Sequence, residues 1–466
     1  MKATAGASPV YTTSYSRRTF TVIGACFILS GATALIYEVL WARMLGLVFG
    51  ATTLAVSAVL AAFMGGLALG SAIAGRWSSR VKRPVLWYGA IEIAIGLYAL
   101  AVPLLFRGID GGYAFVWRHL HPGPYGSASL RFALACLVLI APTALMGATL
   151  PLLSAALART FPEAFASVTR FYSLNLLGAI IGTVVAGFVL LPAFGIQTTI
   201  YFAAAINLAI GAAAILIDMK SAPASVPRLP VLAEARPAGP EITADGPTLF
   251  WLGCAFVSGF VTISSQVAWT RVLVMVIGSS TYAFSIVVAL FLLGLALGAF
   301  LVSRQKDWLP LQQRVFKVQV LTAASLFISL LVVNAMPGIV LGVGFKFQLA
   351  SWPGLLALQM LAAMVLIVLP ATLMGMMMPL VLMWAARAAS EAVSGRVGRT
   401  YAINTVGAIT GSLVTAFVLI PRASTRFTIL FATALAIAVE FGRTFSAAKP
   451  AWAMRAATGR LSRAYS

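Results

Sequence analysis

The sequence predicts an all-α, polytopic membrane protein of about twelve transmembrane helices, arranged as two parallel six-helix repeats. Three observations lead there. The chain is 61% hydrophobic and only 9% charged, whereas a soluble domain carries about a quarter charged residues on its surface. Apolar stretches of 20 or more residues recur along it, each long enough to cross ~30 Å of hydrocarbon at ~1.5 Å per residue. Lipid offers the backbone no hydrogen-bond partner, so such stretches must be helical. Finally, the chain realigns on itself at an offset of 228 residues: SGATALIYEVLWARMLGLVFG from Ser30 falls on SGFVTISSQVAWTRVLVMVIG from Ser258, pairing Trp41 with Trp269 and Arg43 with Arg271.

Taken in order, the spans are 20–47, 51–75, 85–106, 130–156, 170–192, 196–218, 249–275, 281–303, 316–337, 354–385, 400–421 and 424–442. Residues 1–19 form a cytoplasmic tail, 20–218 the first repeat, 219–247 a Pro- and Ala-rich cytoplasmic linker, 248–442 the second repeat and 443–466 a basic cytoplasmic tail. Six spans per copy make the repeat parallel, each copy starting inside. This is the plan of major facilitator transporters.

The net charge of +21 raises the question of nucleic acid, and the placement of the charges answers it. With the N-terminus inside, 24 of the 32 Lys and Arg residues fall on cytoplasmic loops and tails. Among them are Arg17, Arg18, Arg76, Arg80, Lys82, Arg83, Arg304, Lys306, Arg314, Arg396 and Arg399. Arg43, Arg107, Arg118, Arg131, Arg271, Lys346, Arg422 and Arg426 make up the outer set. The asymmetry predicts a multi-pass membrane protein whose partners are anionic inner-leaflet lipids rather than nucleic acid. Cys26, Cys136 and Cys254 lie far apart in apolar runs and indicate no disulfide framework.

Within the spans, two carboxylates carry most of the functional information. Glu92 lies about 12 Å from the inner end of its helix, near mid-bilayer, and Glu38 lies nearer the outer face. An acid at such a depth must be paired, protonated or wetted, which makes each a candidate proton or solute site, with a structural hydrogen bond as the alternative. The second repeat lacks both: Gln266 takes the place of Glu38, and Gln319 falls within one residue of the place of Glu92. Arg43 is about 140° around a helix from Glu38, so a direct pair would need irregular backbone. Tyr37 adjoins Glu38.

Prolines punctuate the fourth and tenth spans in matching segments, PTALMGATLP (Pro142–Pro151) and PATLMGMMMP (Pro370–Pro379). Each removes a backbone donor and bends its helix, as a plain kink or as the lining of a cavity where Thr143, Thr149, Thr372 and Met374–Met378 meet a solute. Asn175 and Asn404 open the fifth and eleventh spans in YSLNLLGAIIG and YAINTVGAITG, as interhelical glue or as solute contacts. Glycines four apart recur at Gly66/Gly70, Gly178/Gly182, Gly294/Gly298 and Gly407/Gly411. They serve either static packing or, as the helices that meet between the halves, sliding during transport. His119 and His121 sit in an aromatic outer segment without carboxylates or thiols nearby, so no metal is expected, and no cofactor motif is present.

The segments GATALIYEVLWARMLGLVFG, LAAFMGGLALGS, PTALMGATLP and Y-x-x-N-x-x-G-A-x-x-G resemble the major-facilitator-like membrane domain found fused to spermidine synthase (polyamine aminopropyltransferase) in bacterial proteins. The resemblance covers about residues 20–442. In those relatives a soluble catalytic domain follows the last span, whereas this sequence ends in a basic tail, so the resemblance implies no enzyme activity in this chain alone. It places Glu38 in the family's Y-E-V-L-W-x-R pattern, from which Gln266 departs. The expectation is a carrier of a small, polyamine-like cationic solute. Its candidate substrate-binding residues are Glu38, Gln266, Tyr37, Glu92, Asn175, Asn404, Thr143 and Thr372. The alternative is a non-transporting anchor for a separately encoded synthase-like enzyme.

Overall fold

The computed structural model describes residues 11–13, 17–49, 53–121, 123–160, 164–220, 223–225, 248–277, 281–304, 309–346, 351–386 and 393–447. Its helices are α1 (Arg17–Phe49), α2 (Thr53–Trp77), α3 (Pro84–Leu120), α4 (Pro124–Thr160), α5 (Ala164–Val185), α6 (Leu191–Lys220), α7 (Thr248–Ile277), α8 (Thr281–Arg304), α9 (Leu311–Lys346), α10 (Trp352–Ala386), α11 (Val393–Val414), the single turn α12 (Ile420–Ala423) and α13 (Thr425–Ala447). Among the described residues, 10 helical stretches are long and apolar enough to span a bilayer, and Thr425–Ala438 adds a shorter apolar helix. The stretch Phe171–Lys220, 50 residues long, exceeds twice the reach a crossing needs. It breaks at Gly195 (φ 72°, ψ 180°), which separates the fifth crossing from the sixth. The chain is a multi-pass membrane protein.

The same break occurs between the last two crossings, where Ser424 adopts φ 89°, ψ 164°. A π-helical turn precedes each break, at Ala186–Leu190 and at Thr415–Leu419. Ser424 also caps the helix it starts: its Oγ accepts from the Phe427 N–H at 3.4 Å and its carbonyl from the Thr428 hydroxyl at 3.0 Å.

Helix pairing follows one scheme in both halves: α2 packs on α4 and α1 on α5, while α8 packs on α10 and α7 on α11. Glycines make these contacts close. A Cβ on Gly66 would overlap the Thr143 side chain, and one on Gly70 the Ala144 carbonyl; Gly178 and Gly182 meet the Ile28 and Ala32 carbonyls. In the second half Gly294 and Gly298 face Ala371 and Thr372 of α10, while Gly407 and Gly411 face Phe256 and Phe260 of α7. The expectation that these glycines line a sliding surface between halves is thereby corrected: they sit inside each half, where backbone meets backbone. The halves touch elsewhere, through α2 against α11 and α5 against α8. An apolar cluster of Leu60, Ile263, Val267, Ala408 and Ile420 seals part of that boundary.

Two further differences from the sequence reading concern element ends and loops. The segment YAFVWRHLHPGPYG is no extended loop, because α3 runs to Leu120, His121 closes it in a left-handed conformation (φ 40°), and α4 restarts at Pro124. Proline is well placed at a helix start, where its missing N–H has no partner to lose. Part of the N-terminal tail pairs with the beginning of the linker as a short antiparallel ladder, β1 (Tyr11–Thr13) on β2 (Pro223–Ser225). The rest of the linker, and residues 448–466 of the basic tail, lie outside the described residues. One end of the first half is strapped by Arg83, whose Nε lies 2.6 Å from the buried Asp218 carboxylate while its guanidinium donates to the Asp218 carbonyl at 2.9 Å.

The proline kinks are not treated alike. Pro142 frees the Val138 carbonyl four residues earlier, and the Tyr98 hydroxyl of α3 donates to that oxygen at 2.8 Å. In the second half the corresponding residue of α9 is Ser325, which donates to Thr322 of its own helix at 2.8 Å instead.

Candidate functional site

Four polar side chains form a connected chain in the interior of the first half. Ser30 of α1 donates to Glu92 Oε1 of α3 at 2.6 Å, and the Asn207 amide of α6 donates to Glu92 Oε2 at 2.6 Å. Asn207 in turn accepts from the Tyr37 hydroxyl at 2.9 Å. Glu92 and Tyr37 are fully buried and Asn207 nearly so. Tyr37 stacks on Trp41, with ring centroids 5.3 Å apart and planes 11° from parallel. Each carboxyl oxygen of Glu92 therefore receives a donor from a different helix. The cluster ties α1, α3 and α6 together in the buried interior of the first half. Of the sequence-predicted residues, Glu92 and Tyr37 are brought together here; Ser30 and Asn207 were not foreseen.

Glu38 stands apart from it. The helix is regular through this position, so Glu38 projects roughly 100° away from Tyr37. Its side chain is 3% exposed, and it has no hydrogen-bond or ion-pair partner among the described residues. Arg43 does not pair with it; α1 continues unbroken to Phe49 and leaves Arg43 exposed. Gln266 on α7 repeats the situation, buried and with its side-chain amide unpartnered among the described residues. One helical turn further along, at the same spacing in both halves, the indole N–H groups of Trp41 and Trp269 are also buried without an acceptor among the described residues. Two matched sets of an unpaired polar side chain and an unpaired indole donor thus occur, one on α1 and one on α7. Sequence reading used the two tryptophans only as alignment markers; their place three residues after Glu38 and Gln266 was the available signal.

The remaining candidates lie at helix seams. Thr143 is fully buried, donates to the Leu139 carbonyl at 2.5 Å and fills the space beneath Gly66. Thr372 donates to Val368 at 2.7 Å and its backbone meets Gly294 and Gly298. Asn175 donates to the Phe27 carbonyl at 3.2 Å beside Gly31, and the Asn404 backbone meets Gly259 in the equivalent contact. Their positions are those of interhelical glue rather than of cavity walls. Met374 and Met377 are buried inside the second half. His119 bonds the Phe115 carbonyl at 2.8 Å, and no cluster of metal-binding side chains occurs among the described residues.

With this geometry in hand, likeness to solved structures defines the fold. The chain is similar to the POT family transporter PepTSo (13% identity over 91% of this chain and 97% of that one, TM-score 0.50). It is similar to the nucleoside transporter NupG (10% identity, 91% and 97% covered, TM-score 0.52) and to a bacterial homologue of the iron transporter ferroportin in an outward-facing state (16% identity, 91% and 99% covered, TM-score 0.51). The fold is that of major-facilitator-type membrane transporters. No protein-family model matches the sequence, and no curated protein does.

Proposed function

We propose that this protein is a carrier of the bacterial inner membrane, with both termini cytoplasmic, that moves a small cationic solute by alternating access between its two six-helix halves. The observation that carries the reading is Glu38. Glu38 has no partner among the described residues; a carboxyl group left unpaired in the membrane interior costs several kcal/mol, and a proton, water or a cationic solute group offsets that cost. Glu92 is spoken for by Ser30 and Asn207, so Glu38 is the acid free to exchange partners. Gln266 supplies a neutral counterpart on the other half, and the Trp41 and Trp269 indoles supply donors beside each. A binding site of this kind takes a solute with ammonium groups and some apolar surface, for which polyamines are the first class to test. The link to synthase-fused relatives rests on the sequence resemblance alone. The exposed basic residues at the cytoplasmic helix ends would rest on anionic lipid.

The test is uptake of radiolabelled polyamines and amino acids into proteoliposomes. Glu38→Gln should abolish accumulation while leaving the melting temperature of the purified protein unchanged. Full uptake by both Glu38→Gln and Glu38→Ala would overturn the reading. Absence of any solute-dependent uptake, together with co-purification of a soluble synthase-like protein, would replace it with an anchoring role.

A further inference from the structure

The second half has no counterpart to the Ser30–Glu92–Asn207–Tyr37 cluster, and the way it is lost leaves a site. Ser258 matches Ser30 in the self-alignment, and Gln319 stands where Glu92 does. Tyr37 corresponds to Ser265, and Asn207, at the 229-residue spacing that relates Gly195 to Ser424, to Ala436. Two side chains that fill the first half are therefore truncated to a hydroxymethyl and a methyl. At the second of these positions, Ala436 borders a largely apolar recess of about 20 Å³, walled also by Val257, Val261, Met374 and Met377 and by Ser258, Gln319 and Thr322. Gln319 is 3% exposed; among the described residues its amide N–H₂ reaches only the Cys254 sulfur, at 3.8 Å, and its buried Oε1 has no hydrogen-bond partner.

We propose that this recess is a binding site for a single neutral donor of the size of water, with Gln319 Oε1 as its acceptor. The ligand takes the place that the Asn207 amide occupies in the first half. The volume admits one water and little more. An orphaned buried carbonyl oxygen is costly, and the remedy is a donor rather than an apolar filler. No carboxylate lines the recess, which disfavours a cation. The second half is thus hydrated at the place where the first is sealed by its own side chains.

The two methionines make the site readable. X-ray hydroxyl-radical labelling of the full chain in nanodiscs in ¹⁸O water generates radicals from bound water, which oxidise the nearest thioether. Met374 and Met377, each 4% exposed, should label several-fold faster than Met146, a methionine of the first half that is 9% exposed and so the more accessible of the three to bulk solvent. Ala436→Asn should bring their rate down to that of Met146 without lowering the melting temperature, because the new amide fills the recess and donates to Gln319. Ala436→Leu fills the same space without a donor and should also slow labelling but lower the melting temperature. Labelling of Met374 and Met377 no faster than Met146 in the unmodified chain would overturn the proposal. So would labelling that Ala436→Asn and Ala436→Leu both leave unchanged.

Discussion

Truncating Asn207 to Ala strands two partners at once, the Glu92 carboxyl and the Tyr37 hydroxyl, both deep in the first half. Each buried group left unpaired costs about 1–3 kcal/mol, so Asn207→Ala should destabilise by about 3 kcal/mol or more, seen as a lowered unfolding temperature in detergent. Glu92→Gln keeps the shape, and a reoriented Asn207 amide can still bond it, so its cost should stay within about 1 kcal/mol. Equal losses for the two variants would mean that the cluster depends on the charge of Glu92 rather than on a filled set of hydrogen bonds. Glu38 and Glu92 were legible in the sequence because a carboxylate inside an apolar run is conspicuous by itself. Their division of labour was not. The partners of Glu92 come from 62 and 115 residues away and the Tyr37 bond spans 170, and no local pattern announces a contact at that range.

At the level of helices, the glycine spacing told which face packs closely but not against which neighbour. Gly178→Ala should cost about 1–3 kcal/mol through overlap with the Ile28 carbonyl. Gly75→Ala in α2, where an added methyl meets nothing within 4 Å, should gain up to about 1 kcal/mol from helix propensity. Thermal unfolding of the two variants side by side checks the pair, and a stable Gly178→Ala would mean the α1–α5 seam has slack. The break at Ser424 offers the opposite test. Its backbone lies in a region that favours glycine at a cost of about 1–3 kcal/mol to other residues, whereas exchanging a serine cap for glycine loses only a few tenths of a kcal/mol. Ser424→Gly should therefore raise the melting temperature; a fall would show that the cap outweighs the strain. The turn between α3 and α4 was missed in the sequence because its aromatic and glycine content reads as loop, while only Pro124 marks the restart.

Across the whole molecule, backbone-to-backbone seams weld α1 to α5 and α2 to α4, with the same pairs in the second half, so relative motion is left to the α2–α11 and α5–α8 faces. Gly65 and Ile409 meet across the first of these, a Cβ on Gly65 lying 3.8 Å from Ile409 Cδ1. In a background with Cys26, Cys136 and Cys254 replaced, Gly65→Cys with Ile409→Cys should cross-link, stop uptake, and recover it on reduction. Undiminished uptake by the fully cross-linked protein would mean the halves do not separate there. The membrane-spanning fold class was readable from composition and span length, since both follow from the solvent. Which helix faces form the boundary between halves is a matter of side-chain fit, and sequence spacing carries little of that.

The Tyr98 hydroxyl on the Val138 carbonyl has a mechanical consequence. A proline bend stays compliant so long as the oxygen it liberates can swap partners, and here that oxygen is clamped by a rigid phenol from the adjacent helix. The bend at Pro142 is thereby locked. Pro370 has no such clamp from Ser325, which bonds within α9. On the proposed carrier reading, flexing would fall to α10 rather than to the stiffer α4.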